Sequence, residues 1–149
     1  MAALLGSYSP NDVIVVVNGV PLDGFAADTF VNVAYNSDAA TMVEGADGSP
    51  AIAFKRGMRG GMVTFTCLQT SLANNYLNSL LQAQKFSGTA AATLNVTVRN
   101  AQGGELHVMP RGVFQKEPEA GFGAEIGSRE WVIIGQLNST VMLQHQVCR

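Results

Sequence analysis

Apolar and polar residues alternate with a period of two over much of the chain, which is the pattern of half-buried β-strands. The clearest example is residues 93–99, where Leu94, Val96 and Val98 are flanked by polar neighbours. Weaker alternation predicts further strands at 30–35, 62–68, 105–115, 128–136 and 140–148. Pro110 and Gly112 interrupt one of these strands, so we expect it to lie at a sheet edge or to be bulged.

A run of β-branched residues near the start predicts another strand. Asp12-Val13-Ile14-Val15-Val16-Val17 has no polar alternation, which favours a strand that is buried on both faces. Asn18-Gly19 follows, a dipeptide that is typical of two-residue hairpin turns because both positions tolerate positive φ.

Residues 71–85 carry a different period, and they predict the one helix. Leu72, Ala73, Tyr76, Leu77, Leu80 and Leu81 recur at helical spacing and form an apolar stripe. Asn74, Asn75 and Asn78 belong to the opposite face, and Thr70 or Ser71 is placed to cap the first turn.

The connection between the strands at 30–35 and 62–68 is unusually long. It spans residues 36–61, about 26 residues, whereas hairpin loops commonly have about 2–5. Its apolar residues, among them Met42 and Phe54, argue against simple disorder because they favour burial. We interpret it as a loop that finishes folding against another subunit.

About seven strands and one helix, without βα alternation, predict a mainly β fold. We expect an antiparallel β-sandwich or barrel with one flanking α-helix at about residues 71–85. A length of 149 residues predicts a single domain over 1–149, with the long inter-subunit loop at about 36–61.

Composition points to a surface that is contacted by other copies. Charged residues make up 13 % of the chain, about half the usual share, while 47 % of residues are hydrophobic. Interface cores exclude charge, so the depletion fits an assembling chain, although a low-charge monomer is the alternative. A formal net charge of −2 lacks the basic face of a nucleic-acid-binding protein. No apolar run has the length of a membrane helix, and the N-terminus lacks signal-peptide features.

Residues with reactive side chains form no recognisable catalytic or cofactor motif. His107 and His145 have no metal-ligand spacing around them, and the glycines at 121, 123 and 127 miss the dinucleotide pattern. Cys67 falls on the apolar face of its strand, where a small core residue is the simpler interpretation than a nucleophile. We therefore predict no enzyme activity, no catalytic residue, no metal and no cofactor.

The basic residues Lys55, Arg56 and Arg59 end the long connection. They are either solvated charges or ion-pair partners for Glu44 and Asp47 of a neighbouring subunit. We take the second alternative as a hypothesis.

The order of these segments resembles the tail tube proteins of long-tailed bacteriophages, most closely those of contractile-tailed phages. The resemblance is carried by Tyr8-Ser9-Pro10, Val13 to Gly19, Gly24-Phe25 and Phe30 to Tyr35, then by the insertion containing Gly45-Ala46-Asp47-Gly48. It continues through Gly61 to Ser71 and Asn74 to Leu77, covers most of the first 85 residues and is looser afterwards, where Trp131 also fits.

The resemblance implies a β-sandwich subunit of hexameric rings, whose inner strands join into one β-barrel and whose stacked rings form the conduit for DNA ejection. It implies that the long loop reaches the adjacent ring. The expected inter-ring contacts on that loop are Asn36, Asp38, Met42, Glu44, Asp47, Phe54, Lys55, Arg56 and Arg59. Thr93, Asn95 and Thr97 are candidates for the wall of the lumen, since a DNA conduit is expected to be polar or acidic.

The implied partners are other copies of the chain, with tail sheath, baseplate and tail terminator proteins as further candidates. DNA and a tape measure protein would pass through the lumen without specific binding. The implied location is the virion tail, after assembly in the host cytoplasm. Two alternatives stay open: another assembly protein, such as a tailocin or secretion-system tube, a tail terminator or a decoration protein, and a small β-rich enzyme or ligand-binding domain.

Overall fold

The computed structural model describes residues 9–27, 30–55, 57, 59–87, 93–101 and 104–141. A short 3-10 helix, Pro10–Asp12, precedes the first strand. The one α-helix of these residues, α1, runs over Ala73–Ser87. The strands are β1 (Val13–Val17), β2 (Val20–Pro21), β3 (Val31–Tyr35), β4 (Ala40–Glu44), β5 (Pro50–Phe54), β6 (Gly60–Leu68), β7 (Leu94–Asn100), β8 (Glu105–Lys116), β9 (Ser128–Gln136) and β10 (Asn138–Val141).

Eight of the strands form one antiparallel sheet in the order β2-β1-β7-β8-β9-β6-β3, with β10 paired to β8 outside this path. The long strand β8 belongs to both halves of the sheet. Its first part pairs with β7 and β10, and its last part, from Val113 to Lys116, pairs with β9. The register shifts on both sides of β8, so the strand bends and carries the sheet from one half to the other.

The core lies between the two halves of this sheet. Val15 and Val96 contribute from one half, and Phe65, Trp131 and Ile133 contribute from the other. These strands alternate buried and exposed positions, so the predicted inward faces of residues 62–68 and 94–98 are confirmed. The mainly β antiparallel fold with one helix is confirmed with them.

Helix α1 packs its apolar stripe on this core. Ala73, Leu77 and Leu81 are buried, as the helical spacing predicts. Leu72 is different: it precedes the helix and is 78 % exposed, so its placement in the stripe was wrong. Ser71, predicted as a cap, accepts a hydrogen bond from the Ala73 amide through its hydroxyl.

Polar contacts also attach α1 to the sheet. The Tyr76 hydroxyl donates to the Val17 carbonyl at 3.1 Å, and the Phe114 amide donates to Gln84 Oε1 at 3.1 Å. The loop after β8 pairs with the far end of the helix through the Lys85–Glu117 ion pair. Both side chains of this pair are about half exposed.

Two strand predictions also need correction. β1 is not buried on both faces: Val15 and Val17 are buried, whereas Val16 between them is half-buried and Ile14 before them is exposed. The predicted bulge in β8 is confirmed, because its register with β7 shifts between Met109 and Gly112, a span that contains Pro110. The predicted edge position is wrong, because β8 has neighbouring strands on both sides. β10 begins at Asn138, and the predicted continuation at 142–148, with His145, lies outside the described residues.

Among the described residues, no helix is long and apolar enough to cross a membrane.

Candidate functional site

The long insertion at 36–61 contains regular structure that the sequence did not predict. β4 and β5 pair with each other in antiparallel register, from Ala40 opposite Phe54 to Glu44 opposite Pro50. They form a separate two-stranded sheet, which we call the projecting hairpin: β4, β5 and the connecting residues 45–49. The insertion is thus a hairpin on two short stems, and its interpretation as a loop throughout was wrong.

The tip of the projecting hairpin is closed by its own hydrogen bonds. The Gly45 amide donates to the Ser49 carbonyl at 2.8 Å, and the Gly48 amide donates to the Gly45 carbonyl at 3.0 Å. Gly48 has a φ of +87°, which favours glycine at this position. The Ser49 amide donates to Asp47 Oδ1 at 3.1 Å, and this hydrogen bond lowers the pKa of Asp47.

Every residue of β4 and β5 is exposed. The large apolar side chains are 58 % exposed at Met42, 70 % at Val43, 56 % at Ile52 and 71 % at Phe54. Because side chains alternate along a strand, Met42, Ile52 and Phe54 share one face of the hairpin. An isolated two-stranded hairpin is marginally stable in water, so this apolar face is a surface that favours a covering partner.

Charges are distributed unequally along the projecting hairpin. Glu44 and Asp47 lie at the tip, whereas Lys55 and Arg59 lie at the stem by which the chain returns to the sheet. Measured along the length of the hairpin, Glu44 at the tip and Lys55 at the stem are five strand positions apart, which is a distance of about 15 Å. This spacing is too long for an ion pair inside one copy, and it leaves an acidic tip and a basic stem available to other molecules. The Arg56 prediction lies outside the described residues.

The stems of the hairpin are hydrogen-bonded to β10. Where the incoming stem leaves β3, the hydroxyl of Tyr35, the last residue of that strand, donates to Ser139 Oγ at 2.7 Å. On the outgoing stem, Arg59 Nη1 donates to Asn138 Oδ1 at 3.0 Å, and the Leu137 amide donates to the Arg59 carbonyl at 2.8 Å. Arg59 thus has a partner inside its own chain, while its predicted contact with a neighbouring subunit stays a prediction. Asn36 and Asp38 lie exposed on the incoming stem, where the Asn36 amide donates to the Gly60 carbonyl at 2.9 Å.

A polar cluster next to these stems was not predicted from the sequence. His107 Nδ1 lies 2.7 Å from Ser139 Oγ, and His107 Nε2 lies 3.1 Å from Glu105 Oε2. Together with Tyr35, these side chains link β3, β10 and β8. Only the β8 pair, two positions apart on one face of a strand, could have been recognised from sequence spacing. The other two residues, Tyr35 and Ser139, lie on strands that are more than 100 positions apart in the sequence.

The neighbouring surface cleft bears on the alternative of a ligand-binding domain. It has a volume of about 540 Å³ and apolar walls that include Val31, Val33 and Val98, with Glu105 and His107 among its lining residues. Both of these polar side chains are engaged with each other. Among the described residues, no group of three or more His, Cys, Asp or Glu side chains is placed to hold a metal ion.

The three residues predicted for the wall of a lumen lie on or beside β7. Asn95 is exposed, and Thr97 is half-buried on the same face of the strand. Thr93 immediately precedes the strand. The face they share continues to Arg99, which is exposed. The backbone amide of Asn95 donates a hydrogen bond at 2.8 Å to Oδ1 of Asn18, which lies in the turn after β1.

A family model described as the bacteriophage PhiTE tail tube protein matches residues 14–141 of the chain. Among curated proteins, the chain is 28 % identical over 139 residues to the structural protein ORF10 of Pseudomonas phage KPP10. That alignment covers 89 % of this chain and 80 % of the phage protein.

Solved structures show the same fold at low sequence identity. A chain from the virion of a native gene transfer agent particle superposes with a TM-score of 0.63 at 15 % identity, covering 91 % of this chain and all of that one. A chain from the anti-feeding prophage cap, which terminates its tube, gives 0.60 at 7 % identity with coverages of 95 % and 96 %. A chain from the sheath–tube complex of an extracellular contractile injection system gives 0.54 at 10 % identity, with coverages of 91 % and 93 %.

Proposed function

Since the chain belongs to the bacteriophage PhiTE tail tube family and is a structural protein of the virion tail, we propose that it forms hexameric rings that stack into the tube for DNA ejection. In this proposal the projecting hairpin makes the contact between adjacent rings. Assembly takes place in the host cytoplasm, and the principal partner of each subunit is another copy of the same chain.

The observation that carries the proposal is the exposed apolar face of the projecting hairpin. Met42, Ile52 and Phe54 lie together on a two-stranded sheet that pairs with no other strand of the described part of the chain. Burying these side chains against a neighbouring subunit would remove an unfavourable apolar surface from water, at about 25 cal/mol per Å². A head-to-tail contact of this kind propagates from ring to ring, which is what a tube requires.

The charge distribution of the hairpin supports the same contact. An acidic tip at Glu44 and Asp47 and a basic stem at Lys55 and Arg59 are complementary between stacked copies, because the tip of one hairpin approaches the stem of another. Such pairs fix the register of stacking more than they add affinity. Asn36, Asp38 and Arg56 complete the proposed contact region.

For the wall of the lumen we propose the β7 residues Thr93, Asn95 and Thr97, past which DNA and a tape measure protein would travel. Arg99 continues that face, so this wall would carry one cationic side chain per subunit. Asn95→Cys, in a background without the native cysteines, tests the assignment with a bulky polyethylene-glycol maleimide. Labelling that proceeds in free subunits and is blocked in assembled tubes supports a lumenal Asn95. Equal labelling in both states contradicts it.

Sheath, baseplate and terminator proteins are proposed as further partners. A chain with this fold occurs in a sheath–tube complex and another in a sheath and tube terminator assembly of a contractile injection system. A tube subunit of a tailocin or of such an injection system is therefore the second candidate function. Both candidates share the self-assembling ring, and they differ in whether DNA passes through the tube.

Deletion of Thr41–Ala53, closed by a short Gly-Ser linker, tests the proposal directly. The removed residues contribute no buried side chain, so we expect the subunit to remain folded, with an unfolding midpoint close to that of the wild type. We expect rings or tubes to be absent or much rarer by negative-stain electron microscopy. Tubes of normal length from the deleted chain would contradict the role of the hairpin.

A control deletion removes a shorter, largely exposed segment elsewhere. The loop after β8 supplies it, since Pro118–Ile126 can be shortened with a similar linker and leaves β4 and β5 unchanged. Loss of tubes with the hairpin deletion, and their retention with the loop deletion, would locate the contact on the hairpin. Failure of the wild-type chain itself to form rings or tubes would contradict the tube function.

A further inference from the structure

The two stems of the projecting hairpin are bonded to consecutive residues of a single short strand. Tyr35 bonds to Ser139 on one side, and Arg59 bonds to Asn138 on the other. Leu137, which directly precedes them, is buried and donates its amide to the Arg59 carbonyl. The chain therefore brings residues from three separate segments together at the point where the hairpin leaves the sheet.

We propose that β10 is a latch that fixes the direction of the projecting hairpin, with Tyr35, Arg59, Asn138 and Ser139 as positioning residues for assembly. This inference rests on the proposed function of the hairpin. Of these four residues, only Arg59 is also part of the proposed contact. They determine where the contact residues of β4 and β5 point.

The direction of the hairpin depends on its stems because the described residues provide no other attachment for it. All ten residues of β4 and β5 are exposed, so no side chain packs them on the body of the subunit. From stem to tip the hairpin is about 15 Å long, and a swing of 20° at the stem would move the tip by about 5 Å. A displacement of that size would separate apolar side chains that must touch a neighbour within about 4 Å.

The latch is itself held from the opposite side. Ser139 Oγ lies 2.7 Å from the Tyr35 hydroxyl and 2.7 Å from His107 Nδ1, and His107 Nε2 lies 3.1 Å from Glu105 Oε2. One set of protons satisfies all of these contacts: Tyr35 donates to Ser139, Ser139 donates to His107, and His107 donates to the Glu105 carboxylate. The chain of hydrogen bonds connects the incoming stem to β8, which is an interior strand of the sheet.

Close packing at the outgoing stem supports the same assignment. Gly61, which pairs with Tyr35 where β3 meets β6, lies against Leu137 and the Ala34 carbonyl, and a β-carbon added there would clash with both. The backbone of β6 thus contacts the side chain that begins the latch. This contact needs a glycine, and it leaves little room for the stem to shift.

The test measures the order of the hairpin in dilute subunits that have not assembled. In Ser139→Ala we expect amide hydrogen exchange in residues 40–54 to be about five-fold faster, the effect of losing hydrogen bonds among partly solvated groups. Tyr35→Phe removes one of these bonds and should give a smaller acceleration. The double variant should match Ser139→Ala, because the Tyr35 contact is already lost there. Core amides of β6 and β9 should be unchanged.

Matched controls remove the same chemical groups away from the latch. Tyr76→Phe deletes the hydroxyl that bonds to Val17, and Ser79→Ala deletes the hydroxyl that bonds to the Tyr76 carbonyl. Neither should change exchange in residues 40–54. At Asn138, Ala should accelerate exchange and Asp should restore it, because a carboxylate still accepts from Arg59. A general loss of stability would not give this difference in exchange between the Ala and Asp variants at Asn138.

Tube growth provides the second measurement. We expect elongation of tubes by Ser139→Ala, followed by light scattering, to be several-fold slower than that of the wild type and of Ser79→Ala. Hairpin exchange that is unchanged in both Ser139→Ala and Asn138→Ala would overturn the latch. Faster exchange with normal elongation would overturn its role in assembly. If Ser139→Ala shows faster exchange but the hairpin deletion still forms tubes, the latch is supported and the proposed function of the hairpin is contradicted.

Discussion

Trp131 on β9 and Asn74 on α1 are joined by a hydrogen bond, with the indole nitrogen donating to Asn74 Oδ1 at 3.0 Å. Trp131 is 2 % exposed, so its one donor has no access to bulk water. The amide nitrogen of Asn74 donates in turn to the Leu68 carbonyl at 2.8 Å. One side chain thus joins the start of the helix to the centre of one half of the sheet and to the end of β6.

Asn74→Ala should therefore destabilise the subunit by about 1–3 kcal/mol, the cost of leaving a buried donor without a partner. Urea unfolding followed by Trp131 fluorescence measures the change. Asn78→Ala, on the exposed side of the same helix, is the control, and we expect it to lie within about 0.5 kcal/mol of the wild type. Equal effects of the two substitutions would contradict the role assigned to Asn74.

Burial of the Cys67 thiol predicts a dependence of stability on alkaline pH. Removal from water raises the pKa of Cys67 from 9.0 to about 11. The folded chain favours the neutral thiol, so this stability is fully present below pH 9 and is lost as pH rises towards 11. Relative to Cys67→Val, which cannot ionise, the free energy of unfolding should fall by about 2 kcal/mol across this window. Parallel curves for the two proteins would contradict the burial argument.

Reactivity offers an independent check of the same thiol. In a Cys148→Ser background, Cys67 should react with iodoacetamide at pH 8 much more slowly in the folded subunit than in urea, because the thiolate is the reactive form. Rapid labelling of the folded subunit would mean that β6 opens on the timescale of the experiment.

The proposed contact between the acidic tip and the basic stem of the projecting hairpin can be tested by reversing these charges. Glu44→Lys should raise the critical concentration for tube assembly several-fold, since each exposed pair contributes about 0.2–1 kcal/mol and is repeated around the ring. Lys55→Glu should act in the same direction. The double exchange should recover part of the loss, because the tip of one copy again meets a stem of opposite sign. Additive losses in the double variant would exclude a tip-to-stem contact, and light scattering against subunit concentration measures all four proteins.

The sequence predicted the strands whose alternation reports a single buried face. Val63, Phe65 and Cys67 on β6 and Leu94, Val96 and Val98 on β7 are buried as their period of two indicates. These strands lie in the middle of the sheet, where one face contacts the core and the other does not. Their pattern therefore carries most of the information about their environment.

Other predictions failed where burial depends on contacts that are distant in the chain. β4 and β5 bury nothing, so no alternation marks them, and only the Gly-Ala-Asp-Gly-Ser turn between them indicates a hairpin. Asn74 was assigned to the face opposite the apolar stripe, and its hydrogen bond to Trp131, 57 positions away, could not be read from the helical spacing. The links from Tyr35 and His107 to Ser139 span 104 and 32 positions, and no local pattern reports them.

Because β4 and β5 supply no side chain to the core, packing of the core does not constrain natural variation in these two strands. Under the proposed function, substitutions of Met42, Ile52 or Phe54 would alter how copies recognise each other, while the unfolding temperature of the single subunit would stay unchanged. Thermal scans on the isolated chain would not detect such variants. Related phages could thus diverge into tubes that do not co-assemble, through changes confined to ten residues of the chain.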